Sequence, residues 1–261
     1  MSPQPTPLRP EDYGKQLPRI SSRATSPLEP DWLLARSLHR DVSRALRSYA
    51  RGRLLDIGCG GRPYEAAELE TTQYIGIDTP ASPLSRPDVW GLAGRLPFAD
   101  GVFDTVLCTQ VLEHVAEPWV VLREVARVLK VGGYVILTAP QAANLHEIPY
   151  DFFRYTRFGL EALCQGHDLQ PIETVSEGGF FASVGFFTVI HIGSYAQWGA
   201  QFVQRGLKSK SAKSNPEGWR RWFWLLRLPM ATANLIFAAL DLIPQPGLFA
   251  LNNLVVAQKT K

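Results

Sequence analysis

Cysteine is scarce in this chain, with three residues among 261. Cys59, Cys108 and Cys164 are widely separated, and their spacing matches neither a disulfide framework nor a zinc site. Unpaired cysteines are typical of proteins in reducing compartments. The N-terminus also lacks the apolar run of a secretory signal, so we expect a cytoplasmic location.

Formal charge is also sparse and unevenly placed. The net charge of +3 is too small to indicate a nucleic-acid partner, and we expect none. Between Glu177 and Arg205 there is no Asp, Glu, Lys or Arg, whereas residues 205–221 contain six basic residues and one acidic residue. A hydrophobic content of 46% is sufficient for a buried core. The composition therefore predicts a globular protein that carries one uncharged apolar segment.

The sequence pattern predicts alternating strands and helices after a proline-rich arm. Seven prolines within residues 1–30 exclude helix and central strand there. Asp31 can cap a helix that reaches about Tyr49, since apolar residues recur at helical spacing. Further helices are predicted at 63–69, 118–129 and 158–165, the second of them ended by Gly132-Gly133. Strands are predicted at 53–57, 74–77, 88–90, 103–109, 134–139, 169–175 and 254–257.

Strands rich in Val, Ile and Leu and separated by helices indicate an α/β fold with a sheet covered on both faces. We predict a mainly parallel seven-stranded sheet with a hydrophobic helical insertion before the last strand. The predicted division is an N-terminal arm (1–30), a core (31–177), the insertion (178–248), and the last core strand with the tail (249–261).

The first predicted strand runs into a glycine turn with the sequence LLDIGCGGR at 54–62. Gly58 and Gly60 permit positive φ and allow a ligand to approach the backbone. The second strand ends at Asp78, 20 residues after Gly58, where a carboxylate can accept hydrogen bonds from a ribose diol. Because ligands bind at the carboxyl ends of strands in open parallel sheets, these residues predict a cofactor site.

The details favour one cofactor over another. Pro63 occupies the position of the third glycine in a dinucleotide fingerprint, so the NAD pattern fails. Asp56, at the end of the strand, would repel a pyrophosphate but suits an ammonium group. S-adenosylmethionine (SAM) carries an ammonium group and a ribose but no phosphate, so we predict SAM. The alternative is a glycine turn that only links strand to helix.

The segment from Leu54 to about Thr156 resembles the class I SAM-dependent methyltransferase family, especially bacterial members with an LDIGCG motif. The other matching stretches are LPF (96–98), FDTV (103–106), VLEHV (111–115) and RVLKVGG (127–133). In the last of these, Val131 replaces the usual proline. The resemblance implies a Rossmann-like class I methyltransferase fold.

The resemblance also implies roles for the cofactor residues. Members often carry an acidic residue near the adenine where this chain has Leu92, so backbone groups near Leu96 would hold the adenine instead. The methionine part of SAM would contact Asp56, Gly58, Cys59 and Gly60, the ribose Asp78, and the sulfonium end Thr109 and Gln110.

Two histidines are candidate catalytic residues. SAM is already a reactive electrophile, so the protein mainly aligns the reactants, and an oxygen acceptor would also need a base. His114 lies in the VLEHV motif, and His146 opens the stretch HEIPYDFFRYT, which resembles the signature of one subgroup of the family. Each could instead be a structural histidine, with the loop packed around an internal Asp151–Arg154 pair. A substrate pocket would use Tyr150, Phe153, Arg154 and Tyr155.

No spacing signature for a metal site joins His114, His146 and a carboxylate, so we expect no metal. The uncharged segment 178–204 is long enough to span a membrane, but polar residues dilute it. A spanning hairpin would also place the basic linker 205–221 outside, against the positive-inside bias. We therefore expect a lid, a dimer interface or an element on the inner membrane surface, with aromatics at headgroup depth from Trp219, Trp222 and Trp224.

Three functions remain open from the sequence. The first is methyl transfer from SAM to an apolar or lipid-like small molecule, such as a quinone, an isoprenoid or a glycolipid, with peripheral membrane contact through 178–248. The second is methylation of a soluble metabolite. The third is a non-catalytic SAM-binding or scaffold protein, although Asp56, Gly58, Gly60 and Asp78 are all present. A NAD enzyme is a more distant alternative.

Overall fold

The computed structural model describes residues 26–65, 71–80, 85–207 and 218–261, without the side chains of 193–194 and 196–226. Most of the predicted N-terminal arm and the second half of the predicted helix 63–69 lie outside these residues. So do the side chains of the three tryptophans that we expect at headgroup depth. Residues 63–65, which are described, are not helical.

Seven strands form one sheet in the order β3-β2-β1-β4-β5-β7-β6. The sheet is parallel except at β7, which runs antiparallel to both β5 and β6. The predicted fold class, a mainly parallel seven-stranded sheet, is confirmed. The strands are β1 (Gly52–Ile57), β2 (Thr71–Asp78), β3 (Val89–Trp90), β4 (Phe103–Thr109), β5 (Leu129–Pro140), β6 (Leu169–Glu177) and β7 (Asn252–Lys259).

The helices are α1 (Trp32–Tyr49), α2 (Pro118–Val128), α3 (Arg157–Gln165), α4 (Phe180–Leu207) and α5 (Gly218–Leu240). A short 3-10 turn covers Leu112–His114. Asp31 is the N-cap residue of α1, but its side chain accepts no capping hydrogen bond. The prediction that Gly132-Gly133 ends α2 is wrong, because the chain leaves the helix at Val128 and both glycines lie within β5.

The sheet is covered on both faces, as its apolar strands predict. On one face, α2 and α3 bury side chains such as Val121, Val125 and Leu160 against the strands. On the other face, α1 buries Leu38, Val42 and similar side chains. This packing fixes the carboxyl ends of β1, β2, β4 and β5 at one edge, where the predicted site residues lie.

The insertion before β7 is helical, as predicted. Helices α4 and α5 pack together so closely that a Cβ atom on Gly185 would lie 2.5 Å from Cβ of Phe237. The Asp241 carboxylate accepts hydrogen bonds from the N–H groups of Gly179 and Ala182, both at 3.0 Å, and so caps the start of α4. The helix pair packs on α1 through an apolar cluster that includes Trp32, Leu33, Phe186 and Leu251.

Within the described part of the chain, neither of these helices nor any other is both long and apolar enough to cross a membrane. The two ends of the insertion are adjacent in space, since Glu177 at the end of β6 pairs with Asn252 at the start of β7.

Candidate functional site

The glycine turn after β1 has the geometry that the sequence predicts. Gly58 and Gly60 have φ values of +71° and +50°. A Cβ atom on Gly58 would lie 2.4 Å from Cγ2 of Val111, so only glycine allows these two loops to meet. The Gly58 N–H donates a hydrogen bond of 2.9 Å to the Ile77 carbonyl, which fixes the turn beside the end of β2.

Asp56 lies under this turn and is 1% exposed. One carboxylate oxygen accepts a hydrogen bond from the Tyr74 hydroxyl, and the other has no hydrogen-bond partner among the described residues. Burial raises the pKa of Asp56 to about 7. A buried oxygen without a donor is costly, so a cation or an N–H donor from a ligand would satisfy it. The ammonium group of SAM has the chemistry that this oxygen needs.

Asp78 is buried at the end of β2 and holds the turn. Its Oδ2 accepts hydrogen bonds from the Gly60 N–H at 2.9 Å and the Ser85 hydroxyl at 2.6 Å. Its Oδ1 accepts one from the Thr79 N–H at 2.7 Å. A carboxylate offers about four acceptor positions, of which the described residues occupy three, and rotation of the Ser85 hydroxyl would vacate one of these. Ribose binding at Asp78 stays a prediction, and Ser85 is a contact that the sequence analysis missed.

The predicted adenine contact is more restricted. Leu96 is buried, its N–H donates to Oε2 of Glu124 at 2.8 Å, and its carbonyl accepts from Nη2 of Arg127 at 3.0 Å. The N–H is therefore already paired, whereas the carbonyl has a second lone pair that could accept from an adenine amino group. Leu92, where relatives often have an acid, is 63% exposed.

Three other predicted cofactor residues lie at the same strand ends. Cys59 is 2% exposed, and burial raises the pKa of its thiol to about 12, so the thiol is protonated at neutral pH. Gln110 follows Thr109 with φ +54° and fastens this loop to β5, since its Nε2 donates to Oγ1 of Thr138 at 3.1 Å. The loop is thus held on the predicted sulfonium side of the site.

His114 and His146 come together although they are 32 positions apart in the sequence. Their ring centroids are 4.7 Å apart, with the planes nearly perpendicular. Nδ1 of His114 lies 2.7 Å from the Tyr150 carbonyl oxygen, and Nδ1 of His146 lies 3.0 Å from the Asn144 carbonyl oxygen. A carbonyl oxygen only accepts, so each Nδ1 carries a proton and each neutral ring keeps an unprotonated Nε2. Burial lowers the pKa of His114 and favours this neutral form.

Glu113 lies beside the two histidines and is fully buried. Neither carboxylate oxygen has a hydrogen-bond partner among the described residues, and Oε1 is 3.8 Å from Nε2 of His114. Burial raises the pKa of Glu113 to about 8. In the sequence, Glu113 lies in the VLEHV motif with no predicted role, because the sequence does not show that this carboxyl is buried and lacks a partner among the described residues.

Arg154 stabilises the loop that carries His146. Its guanidinium donates to both oxygens of Asp151, at 2.6 and 2.8 Å, and to the carbonyls of Ala143, Asn144 and Phe153. All five donors are used, so the geometry favours the packed loop with an internal Asp151–Arg154 pair over contact with an anionic substrate.

The aromatic residues of the predicted substrate pocket differ in exposure. Tyr155 is 7% exposed, and its hydroxyl donates to the Leu112 carbonyl at 3.2 Å, so it packs within the core. Phe153 is 36% exposed, and its ring contacts those of Phe152 and Tyr155. Tyr150 binds His114 through its carbonyl. A role for Phe153 and Tyr150 in an acceptor pocket stays a prediction.

Comparison with known proteins identifies the central segment. Residues 55–137 match the family described as "Methyltransferase domain". A ubiquinone biosynthesis O-methyltransferase from Marinobacter nauticus is 35% identical over 107 residues, which are 35% of this chain and 45% of that protein. A second protein of that name, from Dechloromonas aromatica, is 32% identical over 130 residues, 43% of this chain and 50% of that protein. The matched region thus spans half or less of these relatives.

Solved structures share the fold. Phosphoethanolamine N-methyltransferase 2 of Haemonchus contortus, solved with SAM, aligns with a TM-score of 0.53 at 14% identity, over 97% of this chain and 60% of that chain. The [4+2]-cyclase SpnF aligns with a TM-score of 0.51 at 19% identity, over 88% of this chain and 82% of that chain. Since a cyclase shares the fold, the fold alone does not identify the reaction.

Proposed function

Since the chain contains a class I SAM-dependent methyltransferase domain, we propose that it is an enzyme that transfers the SAM methyl group to an oxygen of an apolar or lipid-like small molecule. The observation that carries the SAM part of this proposal is Asp56, whose buried oxygen lacks a hydrogen-bond donor at the glycine turn. A cationic ligand group would supply the missing interaction.

The apolar character of the acceptor is supported by the insertion. Large hydrophobic side chains are exposed on its described part. In a soluble helix pair, most side chains of this kind would be buried. Such a surface suits an acceptor that must be taken from an apolar phase. The most exposed of them are Phe180, Ile192, Tyr195, Leu228, Leu235, Ile236, Leu242 and Leu248.

The relatives support the choice of oxygen. The first two curated relatives are named for O-methylation in ubiquinone biosynthesis. In their neutral form the two histidines offer unprotonated Nε2 atoms that could take a proton from a hydroxyl. We further propose that the exposed apolar residues of the insertion contact the membrane surface peripherally.

The test incubates the protein with methyl-labelled SAM and a whole-cell extract, and partitions the products between organic and aqueous phases. Label in the organic phase that disappears with Asp78→Ala supports the proposal. Label only in the aqueous phase would instead identify a soluble metabolite as the acceptor, and the insertion would then be a lid or an interface. SAM binding without any transfer would leave a non-catalytic SAM-binding protein.

A further inference from the structure

We propose that Glu113, His114 and His146 bind one divalent first-row transition-metal ion. One ligand-capable atom from each residue lies within 4.8 Å of the other two. The sequence predicts no metal, because Glu113-His114 and His146 are far apart and no spacing motif joins them. The fold brings them together by placing the 3-10 turn after β4 against the loop after β5.

The histidines have the tautomer that metal binding needs. Both Nδ1 atoms contact backbone carbonyls, so both Nε2 lone pairs are free to coordinate an ion. Metal-bound histidines usually donate their second ring N–H to a carbonyl or a carboxylate in this manner. Oδ2 of Asp151 also lies 3.4 Å from Nδ1 of His146.

Glu113 provides the independent indication of a ligand. It is fully buried, and neither oxygen has a hydrogen-bond partner among the described residues. Leaving a buried carboxyl unsatisfied costs free energy, and a cation would offset this cost. Two imidazoles with one carboxylate are a common ligand set for zinc and for ferrous iron, and they leave positions open for water or a substrate.

The loop around His146 is built to hold that ligand in place. The His146 N–H donates to Oδ2 of Asp151 at 2.9 Å, and Arg154 holds the same carboxylate with two hydrogen bonds. These contacts fix His146 before any ion arrives, so less ordering is needed on binding. His114, with 17% of its side chain exposed, leaves an approach to the cluster.

The ion would lie near the glycine turn that follows β1. Val111, two residues before Glu113, contacts Gly58 of that turn. This part of the inference rests on the proposed function but changes how the acceptor is activated, because an Nε2 atom that coordinates the ion no longer accepts a proton. The open coordination positions would hold the acceptor through its hydroxyl oxygen and lower the pKa of that hydroxyl, with the proton released to solvent. The acceptor class is therefore a molecule with a hydroxyl that can bind a metal, such as a phenol.

The test titrates chelator-treated full-length protein with Zn²⁺ and, separately, Co²⁺ by calorimetry, without SAM. We expect one ion per chain. Glu113→Gln should weaken binding at least about tenfold and His146→Ala at least about 100-fold, because even outer-sphere changes cost about 10–100-fold. The matched control is His167→Ala, a histidine whose Nδ1 also contacts a backbone carbonyl but lies outside the cluster. This variant should keep the affinity of the unaltered protein.

Absence of a one-to-one binding event with either ion, or equal affinity in all four proteins, would overturn the metal site. SAM affinity and circular dichroism of each variant show whether it is folded. Methyl transfer is measured separately, with and without chelator. Metal binding without transfer contradicts the proposed function but not the site, and transfer without metal binding contradicts the site but not the function.

Discussion

The proposed cofactor side and the proposed acceptor side of the site hold their acidic groups differently. At the cofactor side, Asp56 and Asp78 stand at the ends of adjacent strands, and hydrogen bonds within the turn orient Asp78. At the acceptor side, Glu113 and His146 come from loops more than 30 positions apart, and the Arg154 guanidinium fixes one of those loops. The first side depends on strand geometry, and the second on a network between loops.

This difference determines how each side should respond to substitution. A change at a strand end removes a contact to the ligand, and at Asp78 also the hydrogen bonds to the turn, while the sheet keeps its shape. A change in the loop network alters the position of several groups together, because their contacts share Arg154 and Asp151.

The largest effect is expected for Asp78→Ala. The variant would lose hydrogen bonds to the ribose worth about 1.5–3 kcal/mol each, so two of them correspond to roughly 10²–10⁴-fold weaker SAM binding by calorimetry. Asp168→Ala, at an exposed carboxylate after α3, is the control and should bind SAM as the unaltered protein does. Unchanged affinity in Asp78→Ala would contradict the ribose assignment.

A smaller effect, on stability instead of SAM affinity, is expected for Arg154→Ala. The Asp151 side chain is 2% exposed and would be left without its ionic partner, which costs about 3–5 kcal/mol for a buried pair. Urea unfolding measures the loss, and SAM affinity should stay within about threefold because the cofactor side is separate. Arg154→Lys keeps the charge but not the five donors, so its stability should lie between that of Arg154→Ala and that of the unaltered protein. Stability equal to that of the unaltered protein would show that the loop does not depend on Arg154.

The smallest effect concerns pH. Burial raises the pKa of Asp56 to about 7, so the ionised carboxylate that suits an ammonium prevails above that pH. SAM affinity should therefore fall by up to about tenfold per pH unit below 7, as protons compete with the cofactor. The stability of the folded state changes with pH in the opposite direction to SAM affinity. A carboxyl with a raised pKa contributes to stability at low pH, and this contribution is lost as pH rises through about 7. Asp56→Asn should remove this pH dependence of SAM affinity. If the affinity of the variant still falls below pH 7, a group other than Asp56 causes the dependence.

The cofactor side could be predicted from the sequence because its signals are local. A β-strand that ends in Gly58-x-Gly60, and a carboxylate at the end of the next strand, restrict the geometry before any tertiary contact is known. The sequence predicts all seven strands, with ends that differ from the observed ones by at most five residues. The predicted end of α2 differs by one residue, but the Gly132-Gly133 pair taken as its stop lies inside β5.

The acceptor side could not be predicted in the same way. Glu113 stands in a motif, but only the packed structure shows that its carboxyl is buried without a donor. The proximity of His114 to His146 depends on two loops that meet across the sheet edge. Ser85 was also missed, since a hydroxyl that binds Asp78 across a loop leaves no periodic signal.

The pairing of Glu177 with Asn252 has a practical consequence for the insertion. Residues 178–251 connect two paired antiparallel strands, so they correspond to the loop of a β-hairpin. The entropic cost of closing such a loop grows only slowly with its length. Neighbouring strands would keep their register if the segment were exchanged for a short turn. We therefore expect that the insertion can be exchanged as a module, provided that polar residues replace side chains that it covers on α1, such as Trp32 and Leu33.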